Sequence, residues 1–249
     1  MSSRLGALVV ILFLAVQPLG AQAPLNLGRV MFENGDFGGA ARAFAPAVRE
    51  GEASPADTAM YAISLSELGR HKEAESVATE LLSRHGDRAY SNYAAGIVAF
   101  NAEELGLAVD RFEAAATLEP RQDAYRGGLA ISLVHLAESY QSRGESGRAA
   151  STYWSALELK PDDARLLAQI AVALGEVGDE REYVAALEAW VRADPAHGEA
   201  WGMLGSARKR SGDEAGALEA FGEAVRLGSE QPEPYLDAAR ADRDLPMLH

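Results

Sequence analysis

The chain contains no cysteine. That excludes disulfides, thiol catalysis, iron–sulfur ligation and a lipid-modified N-terminal cysteine. It assigns no redox compartment, because a chain without thiols works in either. Clustered positive charge is also missing: 23 Lys and Arg stand against 37 Asp and Glu, for a formal net charge of −14. Binding to phosphate backbones depends on Lys and Arg gathered on one surface, so nucleic acid is not an expected partner. No zinc-finger, P-loop or dinucleotide-binding spacing occurs, nor a G-x-S-x-G nucleophile turn. The five histidines, His71, His85, His135, His197 and His249, form no i,i+4 pair and no H-E-x-x-H. No metal, cofactor or catalytic residue is therefore expected, and the chain reads as a non-enzyme. Its carboxylates have a structural reading. Asp57, Asp87, Asp123, Asp162 and Asp163 flank expected helix starts, where negative charge is favoured.

What is present is 249 residues, 48% of them hydrophobic, enough for one or two domains with real cores. The first 24, MSSRLGALVVILFLAVQPLGAQAP, stand apart. Arg4 precedes an apolar run from Leu5 to Val16, Pro18 and Gly20 break it, and Ala21-Gln22-Ala23 supplies an A-x-A pattern. This is the layout of a secretory signal peptide over 1–23, and the run is short for a span of about 20 residues. Cleavage after Ala23 would leave Pro24 at the new terminus; cleavage after Ala21 is the alternative. A periplasmic or secreted location follows, with an uncleaved membrane anchor as the other reading.

Beyond it the chain repeats. Ala40, Ala74 and Ala108 are 34 residues apart, and Ala149, Tyr183 and Ala217 continue after one step of 41. Phe44, Ala78, Phe112, Tyr153, Leu187 and Phe221 lie four residues after that column. Gly35, Gly69, Glu103, Gly144, Gly178 and Gly212 form a third, and Pro120, Pro161 and Pro195 a looser fourth. The repeating unit is a helix hairpin. In 55–69, Ala59, Ala62, Ile63, Leu65 and Leu68 recur at helical spacing, and Gly69 can end the helix because glycine accepts positive φ cheaply. A second helix is expected from Lys72 to Arg84, with Ala74, Val77, Ala78, Leu81 and Leu82 on its apolar side. A small residue at the crossing lets the backbones approach, and a larger one a turn later fills the groove beside it. Neither helix buries its stripe alone, so hairpins must stack.

These columns resemble the tetratricopeptide repeat. That motif has a small residue at position 8, a large one at 11, glycine at 15, alanine at 20, an aromatic at 24, alanine at 27 and proline at 32. Residues 89–122 match at Gly96, Ala108, Phe112, Ala115 and Pro120 and depart at Ala99 and Glu103. Residues 198–231 match at Trp201, Leu204, Gly205, Gly212, Ala217, Phe221 and Ala224, with Ser229 in place of the closing proline. The resemblance implies an all-α solenoid of antiparallel helix hairpins, a right-handed superhelix, over 24–242. The units are 21–54, 55–88, 89–122, 130–163, 164–197 and 198–231, with a partial capping helix at 232–242 and a loose tail at 243–249. Three local expectations follow. The turn at Glu103 should differ from its glycine counterparts. Tyr183 should loosen or tilt its hairpin. The insertion at 123–129 either lengthens the following helix or, through Gly127-Gly128, breaks it.

In the resembling family, first helices line the concave face, and ligands meet positions 2, 5, 9 and 12. Carried over, the protein-binding groove holds Ile63, Tyr90, Tyr93, Ile97, Phe100, Val134 and Glu138, with a basic end at Lys209, Arg210 and Arg240. The aromatics of 89–122 have two readings: anchors for a peptide or helix, or residues buried between neighbouring repeats. The carboxylate-clamp positions of some family members hold Leu25, Arg29, Ala59 and Ile63 here, so that mode is not expected. The resulting expectation is a noncatalytic scaffold or assembly factor that binds protein or peptide, with a component of an envelope complex as a candidate partner. The alternatives are an enzyme accessory subunit or cryptic hydrolase on the same fold, and a self-associating envelope protein.

Overall fold

A computed structural model describes residues 23–160 and 163–229, and among these there are twelve α-helices and no strand. They fall into two compact units, Met1–His135 and Leu136–His249. The first holds α1 (Ala23–Glu33), α2 (Phe37–Glu50), α3 (Pro55–Glu67), α4 (His71–His85), α5 (Ala89–Asn101), α6 (Leu105–Leu118) and the start of α7 (Asp123–Ser142). The second holds the end of α7, then α8 (Ser146–Leu159), α9 (Ala164–Val177), α10 (Glu180–Ala193), α11 (Gly198–Arg210) and α12 (Glu214–Arg226). Residues 1–22 of the expected signal segment 1–23, Pro161, Asp162, the expected capping helix 232–242 and the expected loose tail 243–249 lie outside the described residues. No helix among the described residues is long and apolar enough to cross a membrane.

The glycine column is a column of left-handed turns. Gly35, Gly69, Gly144, Gly178 and Gly212 have φ between 74° and 85°. A Cβ at any of them would meet nothing within 4 Å, so backbone conformation, not space, selects glycine there. Glu103 does not alter the turn, contrary to expectation. It takes φ 64°, and the bond from Glu104 N–H to the Ala99 carbonyl, 2.9 Å, matches that from Arg70 N–H to Leu65 at 2.9 Å. The side chain points into open water, so only the left-handed strain is accepted.

Helix starts are capped where the sequence supplies short polar residues. Asp36, Ser54, Asp179 and Asp213 each accept a bond from the backbone N–H three residues on. Asp163 accepts from Arg165 and Leu166, and Asp57 and Asp123 sit in first turns. His197 caps α11 through Nδ1, which accepts from Ala200 N–H at 3.3 Å, and its ring lies 4.8 Å from that of Trp190.

Within each hairpin, a ring from the second helix seats on a small residue of the first. An added Cβ at Gly28 would come 2.9 Å from Phe44, at Gly96 2.9 Å from Phe112, and at Gly205 2.7 Å from Phe221. Where the second helix offers Ala78 or Leu187, the first offers Ala62 or Ala171 instead, all buried. Glycine faces a phenylalanine ring and alanine faces the smaller leucine, as close packing requires, whereas Ala62 facing Ala78 leaves volume unfilled. Phe112 has a second glycine, Gly128, where a Cβ would come 2.7 Å from its ring. Gly127-Gly128 therefore does not break the chain; α7 runs unbroken over 20 residues, and the insertion lengthens the helix. Tyr183, expected to loosen or tilt its hairpin, packs its ring inside it. It is buried against Gly175, whose added Cβ would lie 3.4 Å from the ring.

Candidate functional site

The structure separates the expected groove residues. Ile63, Tyr93 and Ile97 are each 0% exposed. The Tyr93 ring sits 5.5 Å from Phe112 and 5.0 Å from Tyr125, so these positions take the buried reading and present nothing to a ligand. Burial pushes the Tyr93 hydroxyl up to about 12, and that hydroxyl has no hydrogen-bond partner. Burial also raises Tyr125, with Glu119 adding to it. Tyr90, Phe100 and Val134 are half-buried, Phe100 standing edge-on to His135 at 5.2 Å. Glu138 and Lys209 are exposed. Arg210 is already engaged: its guanidinium meets the Glu180 carboxylate at 3.1 and 3.0 Å and lies over the Tyr183 ring. Arg240 lies outside the described residues.

The carboxylate-clamp positions are likewise occupied. Leu25, Ala59 and Ile63 are buried. Arg29 makes a two-point bond to Asp57, 2.7 and 2.9 Å, while Ser54 Oγ donates to the same carboxylate at 2.6 Å. Asp57 is 1% exposed, so the pair ties α1 to the start of α3 rather than facing a ligand.

The first unit instead opens a cavity of about 440 Å³ that the repeat columns do not assign to ligand. Its floor is α5, through Ala95, Val98, Ala99 and Ala102. One wall is α4, with Glu75, Ala78, Thr79 and Leu82; the other is the start of α6, with Glu104, Leu107 and Arg111. Lining residues of α4 run from His71 to Ser83, a length of roughly 18 Å along the helix. Two departures from the repeat create the space. Ala78 stands in the column that elsewhere holds Phe, Tyr or Leu, and Ala99 where the motif has a large residue. Both are buried, and both line the same cavity. Each departure was visible in the sequence, but only folding places them across one space. Leu107, on the wall, is 42% exposed, a large apolar side chain left facing water.

The floor and lower walls are apolar and the rim is polar, the arrangement of a site that takes apolar groups and orients them by charge. No group of three or more His, Asp or Glu side chains poised to hold a metal occurs among the described residues.

The tetratricopeptide repeat model matches residues 36–242. Protein FlbA of Caulobacter vibrioides is 27% identical over 185 residues, 74% of this chain; the chain spans 30% of the length of that relative. Among solved structures, one of Naa15/Naa10 bound to HypK-THB shares the fold at TM-score 0.55 and 17% identity, covering 89% of this chain and 36% of that one. YrrB, described as a TPR protein with an unusual peptide-binding site, gives TM-score 0.47 and 23% identity over 82% of this chain and 100% of its own. The family model covers most of the chain, which is built of helix hairpins with left-handed turns and ring-on-glycine joints: the chain belongs to the tetratricopeptide repeat family.

Proposed function

We propose that this chain is a noncatalytic protein-binding module, an exported scaffold or assembly factor, and that it engages its partner through the cavity between α4, α5 and α6. The cavity is the observation that carries the reading. A repeat fold derives function from the surface its hairpins expose, and here that surface opens where two core positions shrink to alanine. The layout of residues 1–23 supports export, and the absence of cysteine agrees with either side of the membrane.

The test fills the cavity with residues this chain uses at the same repeat positions. Leu187 pairs with Ala171, as a leucine at 78 would pair with Ala62; Leu65 and Leu174 occupy the position of Ala99. Wild type and Ala78→Leu/Ala99→Leu would be used as baits in envelope extract. The wild type should retain a protein that the filled variant loses. An identical set of retained proteins, with the variant folded, would remove the cavity from consideration. Mass spectrometry of the mature N-terminus tests export; a chain beginning at Met1 would argue against a cleaved signal.

A further inference from the structure

The charges at one end of the cavity point to the chemistry of its occupant. α4 and α6 both begin at that end, with Glu75 on the first and Glu104 on the second. Glu104 occupies the N-cap position of α6, yet its side chain makes no capping bond. Beside it is exposed Glu103, the non-glycine residue with positive φ among the described residues. The corresponding turns use glycine, so this turn alone holds a carboxylate, and it does so in a conformation that L-residues adopt at a cost.

None of the three carboxylates is in an ion pair among the described residues. The basic side chains nearby, including His71 on the cavity's own lining, form no ion pair with them. Arg70 is bound to Glu73 at 2.8 and 2.6 Å. Arg111, also on the rim, is seven residues beyond Glu104, roughly 10 Å further along the helix. The cavity thus pairs an apolar trough with an unneutralised acidic end.

We infer that the cavity binds a segment of another protein in which a pair of apolar residues stands next to Lys or Arg. The apolar side chains fill the space over Ala78, Ala95 and Ala99, and the cation meets Glu75 and Glu104. The inference rests on the cavity being the binding site, and adds the chemistry of what enters it. A basic group is favoured over a neutral one because the carboxylates are fixed on two helix starts and have no competing partner. Glu103 does not line the cavity but adds negative charge next to Glu104 in the chain; glycine would relax the turn and remove that charge.

The full chain would be panned with a phage-displayed library of random twelve-residue peptides, and selected peptides titrated against variants. Expected are peptides with an apolar pair next to Lys or Arg that lose at least tenfold in affinity for Ala78→Leu/Ala99→Leu. Glu75→Gln/Glu104→Gln should weaken them by about three- to tenfold, and Glu103→Gly should weaken them while raising Tm. If the filled variant does not fold, Leu107→Gln, which alters only the exposed wall, takes its place. Peptides that need the cavity but show no basic enrichment, or bind the Glu75→Gln/Glu104→Gln variant unchanged, overturn the charge inference and leave the cavity standing. Peptides held equally by the filled variant, or no enrichment at all, overturn the cavity itself. A wild-type dimer in light scattering that the filled variant abolishes overturns the inference in favour of a second copy of this chain.

Discussion

Glu103 is the residue at which local preference and the repeat disagree, and the repeat wins. Hydrogen bonding across the turn holds it at φ 64°, the geometry its glycine counterparts adopt without strain. Glu103→Gly should therefore stabilise the protein by about 1 kcal/mol, the left-handed penalty less the entropy glycine brings to the unfolded chain; urea unfolding would measure it. Tyr93 makes a second prediction. An unfolded tyrosine loses its proton near pH 10, whereas burial holds the Tyr93 proton to about 12. Between those values the unfolded chain binds fewer protons than the folded one, so stability falls as pH rises. The contribution is whole below pH 10 and lost by pH 12, roughly 2–3 kcal/mol. Tyr93→Phe should reduce that alkaline loss. At neutral pH it should stabilise by about 1 kcal/mol, since the hydroxyl it removes is buried without a partner. Chemical denaturation at pH 7 and pH 11 would show both effects.

At the level of the helix, α7 shows packing overruling propensity. Two glycines inside a helix each weaken it by about 1 kcal/mol relative to alanine, and Gly127-Gly128 read equally well as a break. Gly128 is retained inside the helix because the Phe112 ring needs the volume a Cβ would occupy. Gly128→Ala should therefore destabilise by about 1–3 kcal/mol despite its better helix propensity. Phe112→Leu in the same chain should recover much of the loss, a non-additivity that a double-mutant cycle would read. Part of the expected groove is closed off at this level too. Positions 5 and 9 of α5 were assigned to ligand, yet Tyr93 and Ile97 are closed off by the rings of Phe112 and Tyr125. Sequence periodicity marks which face of a helix is apolar; it does not say whether the next helix or a ligand covers that face.

For the molecule as a whole, the net charge of −14 on a helical repeat leaves carboxylates repelling one another across the surface. Raising salt from about 0.05 to about 0.5 M shortens the screening length to a few ångströms, so Tm should rise by several degrees in a thermal scan. A protein held chiefly by its surface ion pairs would lose stability instead. The ion pairs among the described residues are mostly exposed, Arg84–Glu80 and Arg226–Glu223 among them, and such pairs contribute little.

The sequence determined the repeat. Gly35, Gly69, Gly144, Gly178 and Gly212 mark backbone turns, Phe44, Phe112 and Phe221 mark joints, and a 34-residue spacing makes each hairpin need its neighbours. These are local requirements of one hairpin copied along the chain, so they are legible without coordinates. The cavity is not. Ala99 is a departure from the motif in one unit and Ala78 the small member of a column in another, and neither position by itself points to Glu75 or Glu104. They belong together only because stacking sets α4 beside α5 and α6, where two missing side chains leave one space and two helix starts bring their carboxylates to the same end. Position along the chain records what each helix needs to fold; what lies across a gap is decided by how the helices pack.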